Sequence, residues 1–196
     1  MKKLFLTMMA GLGVTMAVNA QSTDKGTVIV GGNVSYDYKK VVDVDGNTQH
    51  YAILPHVGYF VQNNFALGLG LGYSGETTKS AADVKTSLGE FAVAPYARYY
   101  KGDGNVKLFG QLAAPMAWGT QHVDGDKTGT TERYGAALSP GIAYFPSSRL
   151  GIELSVRGLY YEYSSQKPEG GSKVGVNEFG LNANSLAPSI GINFYF

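Results

Sequence analysis

The C-terminal segment of this chain is apolar at every second position, and that period restricts what it can fold into. Phe196, Phe194, Ile192, Ile190, Pro188 and Leu186 share one parity, while Tyr195, Asn193, Gly191, Ser189 and Ala187 share the other. A β-strand sends alternate side chains to opposite faces, whereas a helix repeats about every 3.6 residues. The pattern therefore specifies a strand with one apolar face and one small or polar face.

The same alternation recurs upstream and divides the chain into eight segments. One begins near residue 26, with Val28, Val30, Val34, Tyr36 and Tyr38 outward. The next has Tyr51, Ile53, Pro55, Val57 and Tyr59 outward, and the third Phe65, Leu67, Leu69, Leu71 and Tyr73. The fourth turns out Phe91, Val93, Pro95, Ala97 and Tyr99, and the fifth Val106, Leu108, Leu112, Met116 and Trp118. The sixth turns out Tyr134, Leu138, Pro140, Ile142 and Tyr144, and the seventh Leu150, Ile152, Leu154, Val156, Gly158 and Tyr160.

Charge is divided by parity. No outward position in the middle of a segment is charged, while Asp37, Glu90, Arg98, Lys107, Glu153 and Arg157 point inward. A soluble sandwich places its charge on the solvent face. An Arg or Lys facing lipid at mid-depth costs about 2–4 kcal/mol, whereas a lumen charge is paired or hydrated. The expected fold is thus all-β: an eight-stranded antiparallel up-and-down transmembrane β-barrel spanning 21–196. Pro55, Pro95, Pro140 and Pro188 lack a ladder donor, so they must sit at bulges or leave a neighbouring carbonyl unpaired.

Connector lengths alternate. Gln62–Asn64, Gly102–Asn105 and Pro146–Arg149 are tight turns, and Lys39–His50, Glu76–Thr86, Val123–Thr131 and Ser164–Asn182 are longer and polar. Outer-membrane barrels have short periplasmic turns and long extracellular loops, so an even strand number leaves both termini periplasmic. Aromatic residues fall where two girdles belong. Tyr36, Tyr51, Tyr73, Phe91, Trp118, Tyr134 and Tyr160 lie at the outer ends of segments. Tyr59, Phe65, Tyr99, Tyr144, Phe194 and Phe196 lie at the turn ends. Such rings favour the membrane–water boundary.

The N-terminus points to export. Lys2 and Lys3 precede the uncharged apolar stretch Leu4–Val18, and Val18-Asn19-Ala20 supplies small residues for cleavage before Gln21. Residues 1–20 read as a cleavable signal peptide, too short for a spanning helix of about 20 apolar residues. Losing Lys2 and Lys3 moves the net charge from +1 to about −1, which argues against a nucleic-acid partner. The chain has no cysteine, which excludes thiolate metal sites and cysteine nucleophiles.

No motif carries catalysis or a cofactor. Gly68-Leu69-Gly70-Leu71-Gly72 alternates along one strand, whereas a phosphate loop turns into a helix. The glycines read as small lumen residues that make room for bulky neighbours. Ser139 lies in a faint nucleophile-elbow pattern without the first glycine or a following helix. Asp43-Val44-Asp45-Gly46-Asn47 starts like a calcium loop but lacks the distal glutamate, and reads as a hairpin tip. His50, His56 and His122 are too scattered for a metal site.

The best-defined polar set is the lumen charge. An eight-stranded barrel is just wide enough for side chains to fill. Asp37, Glu90, Arg98, Lys107, Gln111, Glu153 and Arg157 are expected to form a plug of paired charges, with Tyr96 and Asn193 as hydrogen-bond partners.

In pattern, turn alternation and the terminal Tyr195-Phe196, the chain resembles small eight-stranded outer-membrane barrels of the OmpA/OmpX type, the outer membrane protein β-barrel domain family. The resemblance implies that Tyr195 and Phe196 form a signal for the barrel-assembly machinery. It implies a monomer in outer-membrane lipid, non-enzymatic, with a plugged lumen and surface contacts made by extracellular loops. Ser164–Asn182, with Lys167, Glu169, Lys173 and Glu178, is the expected contact loop. The alternative is a narrow porin-like channel for water, ions or small solutes.

Overall fold

Alternation of apolar and polar side chains is realised as strands throughout the computed structural model, which describes residues 23–40, 46–80, 82–182 and 189–196. The signal peptide, its cleavage site, Asp43-Val44-Asp45 and the positions Leu186, Ala187 and Pro188 lie outside the described residues. The strands are β1 (Val28–Lys40), β2 (Asn47–Gln62), β3 (Phe65–Lys79), β4 (Lys85–Lys101), β5 (Val106–Ala113) and β6 (Met116–Val123). They continue as β7 (Asp126–Ser147), β8 (Leu150–Ser155), β9 (Gly158–Pro168), β10 (Val174–Asn182) and β11 (Ser189–Tyr195).

These stretches build eight wall positions, because three positions are shared. β5 and β6 lie end to end between β4 and β7. β8 and β9 follow each other along β7, and β11 and β10 pair with them in turn. β11 then pairs antiparallel with β1 and closes the barrel. Val28 and Phe196 exchange both backbone hydrogen bonds at this seam, at 2.8 and 2.9 Å.

Two of the breaks sit opposite prolines. The β4–β5 ladder ends at Tyr96↔Ala113 and the β4–β6 ladder begins at Val93↔Met116, so Pro95 faces the break. Its carbonyl still accepts from Ala114 N–H at 3.0 Å. Both sides advance equally, so parity is preserved and Trp118 stays outward. At Pro140 the count differs. Gly141 pairs with Ser155 and Leu138 pairs with Leu159, so the β8–β9 side carries one extra residue. This is a β-bulge, with Gly158 at φ +65°, and one extra residue flips every side chain beyond it. Leu159 and Tyr161 are therefore the exposed large apolar residues of β9, and the expected outward placement of Tyr160 is corrected: its hydroxyl instead donates to Glu178.

The strands are longer than the sequence pattern suggested. β7 runs for 22 residues, roughly twice the 9–11 that cross a bilayer. Most of the connectors expected as long loops are hairpins that continue the wall. Asp124 and Gly125 both take positive φ, the two-residue turn that suits the strand twist. Beyond the membrane both strand faces meet water, so no apolar alternation marks these extensions.

The core fills the end of the barrel that carries the tight turns. Ile29, Phe60, Ala66, Tyr100, Phe109, Ala143, Phe145 and Tyr195 are buried together. The rings interlock, with Phe60–Tyr100, Tyr100–Phe109 and Phe145–Tyr195 centroids 5.7, 5.6 and 5.2 Å apart. Inner-face glycines accommodate this filling. A Cβ on Gly68 would lie 2.3 Å from the Tyr96 ring, so only a bare backbone admits that ring against the wall.

Candidate functional site

Above the aromatic floor lies a layer of paired polar groups. Inward parity on β4 places Arg98, on β5 Gln111 and on β8 Glu153, and the three meet across the bore. Arg98 donates from Nε and Nη2 to Gln111 Oε1 at 2.9 and 2.6 Å. Its Nη1 donates to both Glu153 oxygens at 2.9 and 2.7 Å. The Tyr100 and Tyr195 hydroxyls donate to Glu153 Oε1 at 2.8 and 2.9 Å. The guanidinium also sits 4.8 Å from the Phe109 ring centroid, a cation–π distance. Both charges are thus desolvated but fully partnered, the condition under which a buried pair is tolerated.

The remaining residues of the expected plug do not join this layer. Lys107 lies below it and donates to Thr23 and Asn64, tying the N-terminal segment over the turn end of the bore. That segment is itself sealed down, with Thr23 and Thr27 each 2 % exposed. Glu90 lies above and pairs with Arg133, while Thr131 donates to it at 3.1 Å. Asp37 is exposed near the mouth, 3.6 Å from His50. Arg157 sits at the bulge, half-exposed, 2.8 Å from Glu162 and 3.8 Å from the Tyr160 ring centroid.

A single plug is therefore replaced by separate groups stacked along the axis, because strand tilt sets these inward residues at different heights. The Tyr96 hydroxyl and the Asn193 side chain, expected as partners of the charges, make no hydrogen bond to Arg98 or Glu153. Tyr96 is drawn aside into the space left by Gly58 and Gly68, and Gln111 takes the position on Arg98.

Two residues central to the arrangement were not singled out by sequence. Arg133 shares the inward parity of β7 with Thr131 and was legible on that ground. Tyr100 was legible only as the inward neighbour of Tyr99. Above the Arg98 layer the lumen opens into a cavity of about 330 Å³ lined in part by His56, Ser139 and Gly191. A second, of about 460 Å³, lies beside Glu90 and Arg133. No group of three or more His, Cys, Asp or Glu residues arranged for a metal occurs among the described residues.

The outer face carries exposed aromatic rings at both ends. Tyr36, Tyr51, Tyr73, Phe91 and Trp118 are exposed toward one end, and Tyr59, Tyr99, Tyr144 and Phe194 toward the other. Trp118 Nε1 donates to the Tyr134 hydroxyl at 3.1 Å, and Phe65 is half-buried at the turn end.

The model of the outer membrane protein beta-barrel domain matches residues 6–185. The chain belongs to that family. Solved structures share the fold at low identity. OprG of Pseudomonas aeruginosa superposes with a TM-score of 0.53 at 16% identity, covering 91% of this chain and 99% of that one. Outer membrane protein W of E. coli gives 0.54 at 12%, covering 88% and 99%. The neisserial surface protein A gives 0.50 at 13%, covering 88% and 98%. No curated protein sequence matches. This family of outer-membrane barrels accounts for the apolar belt, the closed wall and the charged lumen together.

Proposed function

We propose that this protein is a side-chain-sealed outer-membrane barrel that acts through its extracellular hairpins and not as a through-pore. The observation that carries the reading is the two-layer closure. Tyr100 and Tyr195 are at most 1% exposed, and the Arg98–Glu153 pair lies directly on them. Export by a cleaved signal peptide, periplasmic termini, a monomeric state and recognition of Tyr195-Phe196 by the assembly machinery belong to the same reading. The surface we assign to partner contacts is the β9–β10 hairpin, where Lys173 pairs with Glu132 at 2.7 Å and holds the hairpin against β7.

The test is ion efflux from liposomes carrying the refolded chain, with insertion verified by a heat-dependent gel shift. The expected result is no efflux despite insertion. Efflux from inserted wild-type protein would overturn the sealed reading and favour the narrow conduit, which the two polar cavities support.

A further inference from the structure

The lumen spends its charges on itself. The cavity of about 330 Å³ above the closing layer is floored by Arg98 and Glu153, joined at 2.7 Å, and bordered at the bulge by Arg157, which meets Glu162 at 2.8 Å. Each of these lining ions thus has its counter-ion on the protein. A charged solute entering here must break one of the pairs or lie desolvated without a partner, and both are costly. The other titratable groups of the lining, His56 and Tyr96, pack edge-on against each other with ring centroids 5.8 Å apart. Residues 183–188, which run up to Ser189, carry no ionisable side chain. Residues 41–45 connect the far ends of β1 and β2, about 20 Å of strand beyond the cavity residues Asn33 and Leu54.

What the lining leaves over is neutral. Gln111 gives its carbonyl oxygen to Arg98 and keeps its amide N–H donors. Asn33 on β1, Ser155 on β8 and Ser189 on β11 add an amide and two hydroxyls with the same inward parity. These groups come from separate positions around the wall, with Leu54 and Ala94 on the stretch between β1 and β5. Hydrogen-bonding groups interleaved with apolar surface, and no spare charge, are the complement of a polyol, whose hydroxyls ring a skeleton that presents C–H faces. Small-molecule pockets run from about 300 to 1,000 Å³, so a cavity at the lower end suits a solute of monosaccharide size.

We propose that this cavity is a binding site for a small uncharged polyhydroxylated solute of monosaccharide size. Asn33, Gln111, Ser155 and Ser189 hold its hydroxyls, and Leu54, Ala94 and Ala113 meet its C–H faces. The blind lower end of the site rests on the sealed reading, whereas binding itself does not. Ion efflux tests the seal separately, and saccharide binding by a leaking barrel would overturn the seal and not the site.

The test is a heteronuclear NMR titration of the refolded full chain in phosphocholine micelles, following the side-chain amides of Gln111 and Asn33. It is run near pH 8, where an ordinary imidazole is uncharged. The probes are glucose, glucuronate as its anionic relative, and choline as a permanently charged hydroxylated cation. Glucose is expected to shift both amides saturably, and the two ions to bind about tenfold more weakly or less. Ala113→Leu, which fills the cavity, is expected to weaken glucose binding by about tenfold or more. Ser164→Ala, beside the upper cavity, is expected to leave it unchanged. A heat-dependent gel shift verifies folding of each variant. Should Ala113→Leu not fold, Asn33→Ala with Ser155→Ala carries the same expectation, read at Gln111. No saturable shift up to about 100 mM glucose, far above a millimolar site, overturns the proposal. So does binding of glucuronate or choline as tight as that of glucose, or unchanged glucose binding by a folded cavity variant.

Discussion

Arg98 on β4 and Glu153 on β8 meet at 2.7 Å across the bore, each side chain 6% exposed, with two wall positions between their strands. The contact therefore staples opposite sides of the barrel instead of neighbouring strands. Removing one partner strands a buried charge, which costs about 3–5 kcal/mol, whereas replacing both by apolar groups of similar size costs little. Arg98→Ala or Glu153→Ala is thus expected to destabilise the inserted protein by about that amount. Arg98→Met with Glu153→Leu is expected to cost much less than the sum of the two single changes. Urea unfolding of the protein in lipid vesicles measures all three. Additive losses would mean that the pair does not act as a unit.

Gly68 and Gly70 are neighbours on the same inner face of β3, yet they should respond differently to one methyl group. A Cβ at Gly68 would lie 2.3 Å from the Tyr96 ring and 2.5 Å from the Val57 carbonyl oxygen. At Gly70 its nearest atoms are 3.6 Å away, an ordinary contact. Gly68→Ala forces the ring and backbone to shift and is expected to cost about 1–3 kcal/mol. Gly70→Ala is expected to be near neutral. The same unfolding assay decides between them, and equal effects would show that Tyr96 is not wedged against this wall.

Arg157 occupies the bulge and pairs locally with Glu162, outside the layer that closes the bore. Arg157→Ala is therefore expected to leave liposomes carrying the protein as ion-tight as the wild type. New efflux in this variant alone would place the seal higher in the lumen than the Arg98–Glu153 layer.

Parity carried most of what was legible in the chain. Through β1 to β7 the outward set Tyr51, Leu69, Tyr99, Leu112 and Ile142 reads directly from alternation, because lipid demands apolar side chains at every outward position. The tight turns read from length and composition. Three things did not. The extended hairpins lack alternation because both faces are wet. The partners of Arg98 depend on strand tilt, which decides that Gln111 and Glu153 share its height while Lys107 and Glu90 do not. The bulge before Gly158 depends on register against β7, and a single strand's sequence does not contain that register.

The bulge has a direct consequence for labelling, and the absence of cysteine makes it measurable. One extra residue places Leu159 and Tyr161 on the outer face and turns Tyr160 to the face of Glu162 and Glu178. Straight alternation from Leu150 would instead put Tyr160 in lipid. Tyr161→Cys and Tyr160→Cys, each carrying an environment-sensitive fluorophore, report the two faces separately. Quenching by a lipid-tethered nitroxide is expected at position 161 and not at 160, with quenching by aqueous iodide in the reverse order. The opposite pattern would remove the bulge, restore uninterrupted alternation through β8 and β9, and return Tyr160 to the outer girdle. Gly158→Ala sharpens the comparison. Its φ of +65° disfavours any side chain, and a Cβ would lie 2.0 Å from the Leu138 carbonyl oxygen. That substitution is expected to destabilise the protein by about 1–3 kcal/mol.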